Sequence, residues 1–155
     1  MKKLLSSPKV NAVCISAFTA FYALIFIIMP GNARIFDMLY SNLYGCKVAP
    51  FWKDFSDFLA AGYEEYIAYA LIAVTVLVVV LLLLRQHPYD EYHTSLLFAC
   101  LSIAAVLTLL AIAIFYLMIL SDPSGIIEKF TLFITIHWTV VVLADLSFVL
   151  LCRWR

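Results

Sequence analysis

Charged residues are scarce in this chain. Lys, Arg, Asp and Glu make up 13% of its 155 residues, whereas 66% are hydrophobic. A soluble domain usually contains about a quarter charged and about half apolar residues. A chain of this length cannot hide so many apolar side chains in one globule, because a small fold leaves much of its surface exposed. The composition therefore excludes an ordinary soluble domain and predicts that lipid surrounds much of the chain.

The sequence also lacks several other features. Its formal net charge is zero, so charge gives no reason to expect a nucleic-acid partner. No two of its four cysteines form a CxxC pair, which argues against a zinc site or a dithiol redox site. The alternating pattern of an outer-membrane barrel is absent. We therefore expect an all-α protein without a metal or cofactor.

Long apolar runs are what the chain has instead. About 20 apolar residues are needed for a helix to span a bilayer, and four segments reach that length: residues 10–29, 66–84, 95–120 and 130–152. The first run lacks a small-x-small cleavage site and is longer than a signal-peptide core, so we expect a retained helix. The prediction is a single membrane domain, residues 1–155, folded as a four-transmembrane-helix bundle.

Lys and Arg placement predicts the orientation of these segments. If the helices alternate in direction, six basic residues share one side: Lys2, Lys3, Lys9, Arg85, Arg153 and Arg155. Basic loops mark the cytoplasmic side of a membrane protein. We therefore expect a multi-pass protein of a bacterial cytoplasmic membrane, with both ends of the chain in the cytoplasm.

An outer loop at residues 31–65 is rich in aromatic residues. Apolar residues recur there at helical spacing on either side of a break at residues 45–50, which predicts an external amphipathic helical hairpin. The hairpin either anchors and caps the bundle or forms a lid or partner-binding surface. The candidate residues for that surface are Tyr40, Tyr44, Trp52, Phe55 and Phe58.

The fourth segment contains two ionisable residues, Asp145 and His137. A carboxylate within a membrane span costs on the order of 3 kcal/mol on insertion scales, so it usually faces the bundle interior and finds a partner. Thr135 and Thr139 lie on the same broad polar face, which predicts a central position for this helix. Asp145 either belongs to a proton or ion path or makes a structural hydrogen bond to another helix.

Small residues predict how the helices pack. Ala12, Ser16 and Ala20 recur every four residues in the first segment, and Cys100, Ala104 and Thr108 do so in the third. Such faces allow transmembrane helices to approach closely. We expect these two faces to be packed and the Val/Leu-rich second segment to face lipid.

Catalytic patterns are weak. Only Asp145 could serve an intramembrane aspartyl protease, which needs two aspartates at one depth, and His137 has no second histidine at its depth for haem ligation. The cytoplasmic loop at residues 85–95 combines metal-capable residue types, but the same composition is expected of a solvated turn. An enzyme is therefore not expected, although one acting on lipid is a third possibility.

Two functions fit the sequence. The first is a small membrane protein that acts through interaction with a membrane-protein partner, as an accessory or immunity-type subunit. The second is a small self-associating transporter or channel, with Asp145 and His137 lining a proton or ion path.

Overall fold

Helices account for the regular structure of the computed structural model, which describes residues 7–28, 50–84, 89–122 and 125–153. These ranges contain five helices and no strand. The helices are α1 (Pro8–Ile28), α2 (Pro50–Ala60), α3 (Glu64–Leu83), α4 (Glu91–Ser121) and α5 (Ile126–Arg153). The predicted all-α class is confirmed. All but α2 are long and apolar enough to cross a membrane.

The long helices begin two to four residues before the predicted apolar segments, because polar residues form their first turns. Asp90 caps α4, where its side chain accepts a hydrogen bond from the His93 backbone N–H at 2.8 Å. This contact satisfies one of the free N–H groups at a helix start. Between α2 and α3 the chain turns at Gly62, whose φ of 74° favours glycine.

The α5 helix is the centre of the bundle and contacts each of the other four described helices. The α1 and α3 helices form a pair that packs on one part of α5, whereas α4 packs mainly on α5 alone. The position of α5 agrees with the prediction from its polar face. The short helix α2 lies at the end of the bundle where α5 begins, here named the α2 end.

Two apolar clusters fill the bundle. The first lies nearer the α2 end and joins α1, α3 and α5 through Ile15, Ala23, Phe26, Ala68, Leu71, Ile134, Trp138 and Val142. The second lies nearer the opposite end and includes residues of all four long helices: Ala12, Val78, Leu82, Leu97, Cys100, Phe148 and Val149, together with Tyr89. The residues of α4 that belong to these clusters, Leu97 and Cys100, lie near the end opposite α2.

The packing predicted for α3 is wrong. This helix is not a lipid-facing wall, because Ala68, Leu71, Thr75, Val78 and Leu82 are buried against its neighbours. The least buried of the four long helices is α4, in which three residues are buried, against six in the shorter α3. Both helices are apolar on all sides, so hydrophobicity alone does not identify the packed face.

The predicted small-residue face is packed on α4 but only in part on α1. On α4, Cys100 and Ala104 are buried as predicted. On α1, Ala12 is buried, but Ser16 and Ala20 are exposed. The buried face of α1 instead runs through Ile15, Thr19, Ala23 and Phe26, where larger side chains fill the contact with α3 and α5.

Only part of the predicted amphipathic hairpin can be described. The α2 helix corresponds to its second half and buries Ser56 and Leu59. Residues 29–49 contain the first half, together with Tyr40 and Tyr44, and lie outside the described residues. The hairpin therefore stays a prediction.

Candidate functional site

Asp145 lies in the bundle interior and contacts α1. Its side chain is 3% exposed, and its Oδ1 accepts a hydrogen bond from Asn11 Nδ2 at 3.3 Å. Asn11 belongs to the first turn of α1, whereas Asp145 lies about two turns before the end of α5. The contact therefore joins two antiparallel helices close to the end of the bundle opposite α2.

His137 also contacts α1, but at a different level. Its Nδ1 lies 2.5 Å from the Tyr22 hydroxyl, and its ring lies edge-on to Phe18 and stacks with Phe133. His137 and Asp145 thus have separate partners on the same neighbouring helix. The contacts of Asp145 with Asn11 and of His137 with Tyr22 and Phe18 connect α5 to α1.

A chain of hydrogen bonds joins three helices between these two levels. Trp138 Nε1 donates to Thr19 Oγ1 at 3.4 Å, and Thr19 lies 3.0 Å from Thr75 Oγ1. Because Thr75 donates its own proton to the Leu71 carbonyl, Thr19 is the donor to Thr75. The side chains of α5, α1 and α3 therefore satisfy one another inside an apolar core.

The other predicted residues of α5 are placed differently. Thr135 donates to the Thr131 carbonyl one turn earlier, at 2.8 Å, and so bonds within its own helix. Thr139 is half-buried. The four candidates Asp145, His137, Thr135 and Thr139 therefore do not share one hydrogen-bonded cluster.

A cleft separates α1 from α4. These helices scarcely touch, and α5 forms the floor between them. The cleft has a volume of about 260 Å³, and its walls are mostly apolar side chains: Val10, Ile15, Phe18, Leu97, Leu101 and Val141, with Cys14. Asn11 and Asp145 complete the lining, so the hydrogen-bonded pair is its polar end.

The α2 end carries a second group of polar contacts. Lys129 is 3% exposed. Its Nζ donates a hydrogen bond to the Asp122 backbone carbonyl and lies 3.6 Å from the Asp122 carboxylate. The same Nζ lies 5.6 Å from the centre of the Trp52 ring. Lys129 thereby connects Trp52 on α2 with Asp122 at the end of α4.

Aromatic rings cover one side of α2. Phe51, Phe55 and Phe58 stack in sequence, with interplanar angles of 2° and 9°. Trp52, Phe55 and Phe58 are half-buried, so the predicted outer surface retains exposed ring area. Whether a partner contacts that surface stays a prediction.

Two carboxyl groups are buried in first turns. Glu64 of α3 and Glu128 of α5 are 3% and 1% exposed, and one oxygen of each has no hydrogen-bond partner among the described residues. Acidic groups are favoured at helix starts by the helix dipole. No group of three metal-ligating side chains occurs within residues 7–28, 50–84, 89–122 and 125–153.

The sequence prediction missed the hydrogen-bond partners of Asp145, His137 and Trp138 on the neighbouring helices. Asn11, Thr19 and Tyr22 on α1 and Thr75 on α3 lie within segments that were counted as apolar. Their polar atoms in otherwise apolar runs were the available signal, and Asn11 was the strongest, because an amide in a span needs a partner.

No family model, curated protein or solved structure matches the chain.

Proposed function

We propose that this chain is a four-span integral membrane protein that acts by binding a second membrane protein. Four long apolar helices support the membrane placement. The distribution of Lys and Arg supports cytoplasmic ends and an outward-facing α2 end. We place the protein in a bacterial cytoplasmic membrane, as the sequence prediction did.

The observation that carries the proposal is the uncovered face of α4. This helix is 31 residues long, packs mainly on α5 and leaves most of its residues exposed. The face turned away from α5 includes the exposed small residues Ser95, Ala99, Ser102 and Ala113. Small residues let a partner helix approach closely, so this face suits a helix of another protein.

The contacts of α5 favour binding over transport. Asp145 and His137 each have a partner on α1, and Trp138 joins the chain of hydroxyl groups on α1 and α3. Groups that hold helices together in this way support a structural role for the polar face. The alternative, a small oligomeric transporter, would need those groups to serve a common path.

Photo-crosslinking in cells tests the proposal. We expect a photo-reactive residue at Ser102, on the uncovered face of α4, to capture one defined protein. The same residue at Ala104, which is buried against the bundle, is the matched control and should capture none. Lipid adducts alone at Ser102 would contradict the proposal. Capture of a second copy of this chain would favour the oligomeric alternative instead.

A further inference from the structure

The cleft between α1 and α4 combines a polar end with apolar walls. In the proposed membrane setting, its open side faces the bilayer, because α1 and α4 scarcely touch and α5 closes the other side. An apolar cleft that opens to a bilayer will contain acyl chains. What distinguishes this cleft is the carboxylate at one end.

The polar end lies within the spans but near the cytoplasmic end of the bundle, within reach of the inner-leaflet headgroups. Asn11 is three residues after Pro8, which corresponds to about 4–5 Å along the axis of α1. The apolar wall continues from there to Phe18, about 10 Å deeper in the bilayer. A lipid of the inner leaflet would therefore place its headgroup beside Asp145 and its acyl chain along the wall.

The chemistry of the pair selects a hydrogen-bond donor. A carboxylate has two acceptor oxygens, and the bond from Asn11 reaches one of them, Oδ1. None of the described residues that line the cleft is basic, so these residues supply no cation to Asp145. A primary ammonium group brings both a positive charge and three N–H donors, whereas a quaternary ammonium brings no N–H.

The size of the cleft favours a lipid over a polypeptide. Its volume of about 260 Å³ lies just below the range of about 300–1,000 Å³ that is typical of small-ligand pockets. A transmembrane helix is about 10–12 Å across with its side chains and would not enter such a space. One acyl chain is narrow enough to do so.

We infer that the cleft binds one phospholipid with a primary-amine headgroup, such as phosphatidylethanolamine, with the ammonium at Asp145 and Asn11 and one acyl chain along the wall. The inference depends on the proposed membrane placement and orientation. It does not depend on the partner at α4.

Native mass spectrometry of the purified protein tests this inference. The protein is equilibrated with equal amounts of phosphatidylethanolamine and phosphatidylcholine that carry the same acyl chains. We expect the bound lipid to be enriched about tenfold in phosphatidylethanolamine, which corresponds to about 1.4 kcal/mol. Asp145→Asn should bring the ratio close to one, while its amide can still bond to Asn11 and maintain the fold.

Two further variants separate charge from shape. Glu91→Gln removes an exposed carboxylate at the same end of the bundle but outside the cleft, and it should leave the enrichment unchanged. Leu101→Trp fills the cleft and keeps Asp145, so this variant should bind neither lipid. It tests the cleft independently if Asp145→Asn does not fold.

Several results would overturn the inference: equal binding of the two lipids by the parent protein, enrichment that persists in Asp145→Asn, or enrichment lost in Glu91→Gln. Capture of a polypeptide by a photo-reactive residue at Cys14 would do so as well. The lipid assay uses purified protein and synthetic lipids. A negative result there does not change the result expected of the crosslink at Ser102, and a negative crosslinking result does not change the expected lipid enrichment.

Discussion

Replacement of Trp138 by alanine is expected to lower the free energy of unfolding by about 3–5 kcal/mol. Trp138 is fully buried at the junction of α1, α3 and α5. The centre of its ring lies 5.5 Å from the ring centre of Phe26 and 6.0 Å from that of Tyr22. Within lipid, helices are held together mainly by packing and hydrogen bonds, and this change removes both. Unfolding in mixed micelles, followed by circular dichroism, measures the loss.

Two companion variants identify its cause. Trp138→Phe retains most of the ring packing and removes only the hydrogen bond to Thr19, so we expect a loss of about 1 kcal/mol. Phe21→Ala removes an aromatic ring from the same bundle at a site that is 65% exposed, and should cost less than about 0.5 kcal/mol. Equal losses for Phe21→Ala and Trp138→Ala would show that the described core is wrong.

Lys129→Ala is expected to cost about 2–4 kcal/mol and to loosen α2 from the bundle. The substitution removes a charged hydrogen bond to the Asp122 carbonyl and a cation–π contact to Trp52, at a site almost closed to solvent. Because Lys129 connects Trp52 on α2 with Asp122 at the end of α4, its loss should also expose α2 to added protease. Unfolding in micelles and limited proteolysis of residues 50–60 measure the two effects.

Lys53→Ala provides the matched control. Lys53 lies on α2, is exposed and carries the same charge, so its removal should change stability by less than about 0.5 kcal/mol. It should not alter cleavage within α2. If both lysine variants behave alike, the contact between Lys129 and Trp52 does not hold α2 in place.

The all-α class and the number of long apolar helices could be predicted from the sequence, because a physical rule connects them directly to segment length. A backbone in lipid must satisfy its own hydrogen bonds, so an apolar run of about 20 residues forms a helix. The residues at which the helices begin were harder to predict. Asp90 caps α4 and Glu128 lies in the first turn of α5, and an apolar count passes over such polar residues.

The choice of packed faces could not be predicted in the same way. Leu71 and Val78 on α3 are buried, whereas Leu107 and Leu110 on α4 are exposed, although all four side chains are strongly apolar. Lipid tails are as apolar as these side chains, so the hydrophobic effect does not distinguish a lipid-facing surface from a helix contact. Shape complementarity decides, and it is a property of pairs of helices.

The ionisable residues of the candidate site could be predicted from the sequence, but their partners could not. Asp145 and His137 were identified because each is costly in an apolar span. Their partners Asn11 and Tyr22 could not be assigned, since the pairing depends on the antiparallel register of α1 and α5. The cleft beside Asp145 was not foreseen, because it results from the separation between α1 and α4.

The most direct test of the proposed function is a flux measurement with the purified protein in liposomes. With a pH gradient and a pH-sensitive dye inside, we expect the parent protein and Asp145→Asn to leak protons no faster than empty liposomes. The same result is expected when potassium or sodium replaces the proton gradient. A proton or cation flux in the parent protein that Asp145→Asn abolishes would contradict binding as the function and establish transport along α5.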